Sequence, residues 1–400
     1  MSNTSKTRLL LAIGTAVAAF VALGILGHPV ASAKKTDADY YLPSTPENLW
    51  NGWFPRDAPP AITVPSGAIV KIDTISHRGV GGNGLDPVAF LGQFGVQPEE
   101  ILPDVINAFN DFLPDHRAAR GGGGHHLTGP VYVEGAEPGD TLEVRIMKVD
   151  SRVPYGINAQ SSGGALPGYL SQSTVRLMRT NGDVVLFKEG VEIPMKRFQG
   201  TMGVAAADDF VSPIANAAAV GIVSSTPPGP FGGNMDLNDL GEGTSLFLPV
   251  FRTGVQFFTG DPHGVQGNGE VSGNALEQSN TVTMQFIVHK GGGLTEPRAE
   301  TPTHFILMGI DVDHDTAYSL ALADVLDFLQ TEKGLPLADA RAFASLAVDF
   351  NIAESVDFTQ LVMGRIPKRF FTDDWEPKEF WHKPLHVRTE GQRQGLDVFH

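Results

Sequence analysis

The chain has 400 residues, 42% of them apolar, enough to bury a substantial core as one large domain or two modest ones. Its formal net charge of −16 is the wrong sign for nucleic acid or anionic lipid, so neither is expected as a partner. Cysteine is absent, which excludes disulfides and cysteine nucleophiles and leaves histidine and carboxylate side chains to hold any zinc.

In chain order, Lys6 and Arg8 precede an apolar run from Leu9 to Leu26, and Ala31-Ser32-Ala33 supplies small residues for cleavage. Residues 1–33 therefore read as a signal peptide, and the mature protein is expected to be exported, periplasmic or secreted after cleavage near Ala33. A retained anchor is the rival reading, because the run is about long enough to cross a bilayer if tilted. After cleavage no stable membrane association is expected. Losing Lys6 and Arg8, with no acid removed, takes the charge from −16 to −18.

Residues 34–60 carry several prolines with Trp50 and Trp53 and little periodicity, which predicts an irregular arm packed on its aromatics and holding no chemistry. The main domain is expected over 61–371. A tail over 372–400, with Trp375, Phe380 and Trp381, is expected to lie over a neighbour or over its own domain, and such arms leave room for a homo-oligomer. Turns followed by apolar alternation recur at residues 64–75, 137–146 and 241–251, and further strands are expected at 277–290 and 303–310. With 46 glycines and 28 prolines the chain has turns enough for many short strands. The expected fold is mainly β (α+β), with a β-sandwich or jelly-roll-like core. Helical spacing appears at residues 98–113, as an inserted helix, and near the C-terminus at 316–333 and 337–350, with Asp315 as N-cap and Gly334 as stop for the second.

The span from Phe231 to Glu277 is dense in chemistry: Asn234, Asp236, Asp261, His263, Gln266, Glu270 and Glu277 stand among glycines that let the backbone turn sharply. A hydrolase that activates water through a metal or a carboxylate needs this mixture. The bland alternative is a turn-rich loop in which Asp236 caps its own backbone. His125 and His126 lead into a strand, where neighbours face opposite ways, so at most one of them can enter a site. Asp311, Asp313 and Asp315 around His314 resemble a cation loop superficially, yet the Gly and distal Glu of a calcium hand are missing, and helix capping accounts for them. There is no Gly-x-Ser-x-Gly elbow and no phosphate loop, and Ser161-Ser-Gly-Gly comes without a lysine partner.

Three segments in order carry a resemblance: Leu127-Thr-Gly-Pro-Val-Tyr-Val-Glu-Gly-Ala-Glu-Pro-Gly-Asp140, Phe231-Gly-Gly-Asn-Met-Asp236, and Leu248-Pro-Val-Phe followed by Gly260-Asp-Pro-His-Gly-Val-Gln-Gly-Asn-Gly-Glu270. Together they resemble the acetamidase/formamidase family over residues 125–371, while the earlier third matches poorly and residues 80–125 look like an insertion. The resemblance implies a β-sandwich with added helices and hydrolysis of linear amides, formamide- or acetamide-like, to carboxylate and ammonia. It implies a divalent metal, zinc being the expected ion, held by His125, Asp236 and His263. Glu270 and Asp261 would carry protons, and Asn234 and Gln266 would contact the substrate amide. Two alternatives stay open: an exported, non-catalytic small-molecule-binding β-protein on the same scaffold, and a metal-dependent hydrolase of a larger amide admitted by the insertion.

Overall fold

The short apolar alternations pair into two facing sheets in a computed structural model, which describes residues 38–372 apart from 83, 118–122, 161 and 214–221. The expected signal peptide and the aromatic tail lie outside the described residues, except for Thr372.

The larger sheet has nine strands in the order Tyr40–Leu42, Ile69–Asp73, Asn280–His289, Thr141–Ser151, Thr244–Pro249, Arg298–Glu300, His304–Asp311, Thr359–Pro367 and Asp349–Asp357. All three recurring turn-then-strand units thus enter one sheet. Its longest pairing sets Phe286 opposite Val144 and Met284 opposite Ile146, so the alternation fixes the register. The smaller sheet runs Gly232–Asn234, Phe198–Gly203, Phe257–His263, His126–Val133 and Leu49–Asn51, with Ile62–Val64 pairing beside His126–Val133. One apolar cluster takes side chains from both sheets, among them Val144, Met284, Phe286, Leu127, Met202 and Phe257. That shared core makes the mainly β expectation a sandwich.

A separate four-stranded sheet, Val191–Pro194, Val184–Lys188, Thr174–Asn181 and Tyr155–Gln160, stands beside the sandwich and pins one edge of the site described below. The arm at 34–60 is more regular than expected, since three short strands, Tyr40–Leu42, Leu49–Asn51 and Trp53–Pro55, pair with neighbours. Trp50 and Trp53 are buried, as expected of an arm packed on its aromatics.

Four α-helices are described. The inserted region holds α1 (Pro87–Gly92) and α2 (Pro103–Asp111), preceded by a single 3-10 turn at Pro98–Glu100. The helix expected over 98–113 is therefore shorter, because Pro103 lacks the N–H an upstream turn would need and instead opens α2 at its first position. α1 and α2 bury Phe90, Leu91, Val105 and Ala108 against Val153, Tyr155 and Ile157. α3 (His314–Thr331) and α4 (Leu337–Ala347) cover the far end of the large sheet. α3 sits so close that a Cβ on Gly309 would meet the Ala317 carbonyl at 2.0 Å, which is why a glycine and two alanines, Ala317 and Ala321, meet there. Its N-cap is Asp313, not Asp315: the Asp313 carboxylate accepts from Thr316 N at 2.9 Å. α4 ends at Ala347, and the expected continuation to Phe350 is instead the start of the strand Asp349–Asp357.

Candidate functional site

Asp261 and His263 lie two apart on the strand Phe257–His263, so their side chains leave the same face. Opposite them on Phe198–Gly203 stands Gly200, between the pairs Gln199 with Pro262 and Thr201 with Gly260. The loop after Gly232–Asn234 brings in Asp236, the ladder bridge from His263 to Glu277 brings in Glu277, and a bridge from Gly269 to Glu354 holds the chain beside Glu270. His77 arrives from the turn that follows Ile69–Asp73, His125 from the residue before His126–Val133, and Asp357 from the end of the last strand pair. The site is therefore assembled from strand ends spread over most of the fold.

The geometry centres on Asp261. Its Oδ2 lies 3.2 Å from His263 Nε2 and 3.9 Å from His125 Nε2, and its Oδ1 lies 3.3 Å from His77 Nδ1. His263 Nδ1 faces Asp236 Oδ1 at 3.6 Å, and His263 Nε2 faces Glu277 Oε1 at 3.5 Å. His125 Nδ1 meets the Ser225 carbonyl at 3.0 Å, which makes that nitrogen a donor, and Nε2 is the atom turned toward Asp261. His126 points the other way, against Phe112, where burial pushes its pKa down to about 3 and keeps it neutral.

Five carboxylates and three imidazoles form four overlapping groups in which all donor atoms lie within 4.8 Å: His77, His125 and Asp261; Asp236, Asp261 and His263; His263, Glu270 and Glu277; Asp236, Glu270 and Asp357. Burial, reinforced by Asp261, Asp357 and Glu354, pushes Asp236 well above the usual carboxylate range despite His263. Burial and then Asp236 do the same to Glu270, and Asp357 is raised to about 6, chiefly by burial. Asp261 feels that burial too, yet the imidazoles of His125 and His263 hold it well below the usual range. His263 moves in the complementary sense: burial disfavours its charge, but Asp261 and Glu277 hold it well above the ordinary imidazole value. So many acids in one buried volume repel one another, and a cation among them would lift the penalty.

Two further observations fit a divalent cation. Asp236 Oδ1, Asp261 Oδ1, both ring nitrogens of His263, His77 Nδ1 and Glu277 Oε2 are all buried without a hydrogen-bond partner. Such atoms are costly unless a partner such as a cation or a donor meets them. A Cβ added to Gly200 would stand 2.5 Å from Asp236 Oδ1 and 2.7 Å from Asp261 Oδ2, so only glycine leaves that space clear. The backbone bears the same mark: Asp236, Asp261 and Glu270 adopt φ of 47°, 51° and 40°, a region side chains other than glycine visit at a cost.

Of the residues singled out from sequence, Asp236, Asp261, His263 and Glu270 converge, and His125 joins through Asp261. The expected ligand trio does not close as one group, since His125 groups with His77 and Asp261, whereas Asp236 and His263 group with Asp261 on its other side. Asn234 touches the cluster differently from expectation: its amide donates to Asp236 Oδ2 at 2.7 Å and Asp357 Oδ2 at 2.6 Å, and its oxygen accepts from Thr201. Both of its N–H groups hold carboxylates, so it positions acids. Gln266 donates to the Asp236 carbonyl at 2.9 Å and keeps a buried, unpartnered Oε1. Sequence reading missed His77, Asp357 and Glu354, and gave Glu277 no role. The acids at 311–315 behave as caps, as expected.

Beside the cluster a cavity of about 280 Å³ opens between the four-stranded sheet and the loop at 265–276. Gln266 and Glu270 belong both to its wall and to the cluster.

The sequence model of the Acetamidase/Formamidase family matches residues 108–222 and 211–373. A formamidase-like protein of Schizosaccharomyces pombe is 25% identical over 355 residues, which span 71% of this chain and 80% of that one. The formamidase of Methylophilus methylotrophus is 26% identical over 274 residues, 52% of this chain and 67% of its own. In three dimensions an acetamidase from Bacillus halodurans superposes with a TM-score of 0.67 at 24% identity, over 83% of this chain and 99% of that one, which is a likeness of fold.

Proposed function

Since this chain belongs to the acetamidase/formamidase family and is a hydrolase of linear amides, we propose that its reaction centre is the cluster around Asp261, opening to the cavity through Gln266 and Glu270. The observation that carries this reading is that those two residues are shared by the buried acids and the cavity wall.

A divalent cation would fit the donor set, held by Asp261 either with His77 and His125 or with Asp236 and His263. Histidine with carboxylate is a usual donor set for catalytic zinc. Such an ion would supply Lewis acidity, withdrawing charge from the attacking water and from the carbonyl oxygen as the tetrahedral state forms.

The chain's own groups supply the rest. Glu270, at the cavity wall and beside the other acids, takes a proton from the attacking water and passes it to the departing nitrogen. Gln266 Oε1 accepts an N–H of the substrate carboxamide and orients it toward Glu270. The C–N bond breaks, and the products are a carboxylate and ammonium. Asn234 keeps Asp236 and Asp357 in place during turnover.

The test measures bound metal and ammonia release on purified wild type, Asp261→Asn and Glu270→Gln. Asp261→Asn is expected to lose both metal and turnover. Glu270→Gln is expected to keep its metal and lose roughly 10²–10⁴-fold in kcat. Full activity in both variants would remove the centre from this cluster.

A further inference from the structure

Formamide carries no carbon beyond its carbonyl and acetamide only a methyl group, so neither gives an apolar wall anything to hold. Yet the cavity beside Glu270 is walled on one side by Met178, Val185, Phe187 and Ile193 of the four-stranded sheet and on the other by Val265 and Leu276 of the loop. Met178, Val185 and Leu276 form a small apolar cluster of their own, with Phe187, Ile193 and Val265 packed on it half-buried. This cluster is separate from the main core and from the one under α1 and α2.

Asn158, Asn268, Ser272 and Asn274 also line the cavity, and their bonds hold the shape of the loop: Ser272 donates to the Asn274 carbonyl at 3.0 Å. Asn158 donates to the Asn274 and Ala275 carbonyls at 2.8 and 3.0 Å, and Asn268 accepts from Asn238 at 2.7 Å. Gln266 and Glu270 stand where the cavity meets the cluster. The cavity therefore has a reactive polar end and an apolar body. Its volume of about 280 Å³ is close to twice the roughly 150 Å³ of an apolar cavity that accepts benzene.

Resting on the reading that the cluster is the amidase centre, we infer that the substrate is a primary amide with a bulky apolar acyl group, a phenyl ring or a chain of comparable size. The carboxamide meets Gln266 and Glu270, and the acyl group lies between the four-stranded sheet and the loop. The wall is made by Asn158 and by residues within 178–193 and 265–276, so the inserted region at 80–125 takes no part in it. Acyl size is then set by the sheet, with Ile193 a specificity-determining residue.

The experiment compares kcat/KM for formamide, acetamide, hexanamide and phenylacetamide in wild type, in Ile193→Trp, which fills the cavity, and in Ile193→Ala, which enlarges it. One methylene in an apolar pocket discriminates by roughly 10–200-fold. Wild type is therefore expected to prefer hexanamide or phenylacetamide over acetamide by at least about tenfold. The phenylacetamide-to-acetamide ratio is expected to fall at least about tenfold in Ile193→Trp and to hold or rise in Ile193→Ala. If acetamide or formamide is the best substrate, or if neither variant moves the ratio, the acyl pocket is overturned and the amidase centre stands. If no amide is hydrolysed, the amidase centre itself falls, and the substrate class falls with it.

Discussion

Two acidic regions of this chain look alike in sequence and differ in every physical respect. Asp311, Asp313 and Asp315 stand at the start of α3, where Asp311 accepts from Asp313 N at 2.8 Å and Asp313 from Thr316 N and Oγ1 at 2.9 Å each. They are exposed or nearly so, and the helix terminus gives their charge a purpose. Asp236, Asp261 and Glu270 are buried at left-handed backbone angles, and Asp236 and Asp261 each keep an oxygen without a hydrogen-bond partner among the described residues. The difference teaches that a density of acids marks a site only when the acids are buried faster than the chain supplies partners. In the capping region charge serves the fold; around Asp261 the fold carries the cost of the charge.

The sharpest way to break that comparison is to crowd the cluster without removing any of its acids or imidazoles. Gly200→Ala sets a methyl group against Asp236 and Asp261 and is expected to lower activity by at least about 100-fold and to displace bound metal, as metal analysis of the purified variant would report. A variant that keeps both metal and activity would show that the space beside Gly200 is not used. A middle-sized effect comes from Glu296, just before the strand Arg298–Glu300, where burial and then Asp324 push the carboxyl up to about 7. Its folded pKa lies above the unfolded value of 4.5, so the folded state holds the extra proton. Stability from this group is complete below 4.5 and is lost as pH rises through about 7. Glu296→Gln is expected to flatten that part of the stability profile, read as urea midpoints on either side of the window, with activity left alone. The smallest effect belongs to the cap: Asp313→Ala should lower the thermal midpoint by a few degrees at most and leave kcat/KM unchanged. A loss of turnover there would erase the distinction between the two acidic regions.

How far the sequence reveals these regions depends on how local their causes are. Strand alternation is local, so the sandwich and most of its long strands are legible, as are the two C-terminal helices to within a few residues. α1 is not, because six residues give too little periodicity to register. Asp261 and His263 announce themselves by sitting two apart on a strand among glycines. His77 does not: it stands alone between Ser76 and Arg78, and reaches the cluster only because the strand before it pairs with Asn280–His289. Asp357 and Glu354 read as the end of an ordinary strand pair, and only the bridge from Gly269 to Glu354 brings them to Glu270. Asn234 stands out in sequence as a candidate, while the bonds it makes do not, since its partners Thr201 and Asp357 are set by sheet pairing and the return of the last strand.

The tie between Asn158 and the loop reaches beyond packing. The strand Tyr155–Gln160 runs at the edge of the four-stranded sheet, and through Asn158 it grips the same loop that carries Gln266 and Glu270. Under the proposed reading, Glu270 and one wall of the cavity therefore share one mount. A change of loop length there would move the Glu270 carboxyl and the width of the gap together, whereas a substitution on the sheet would alter the gap alone.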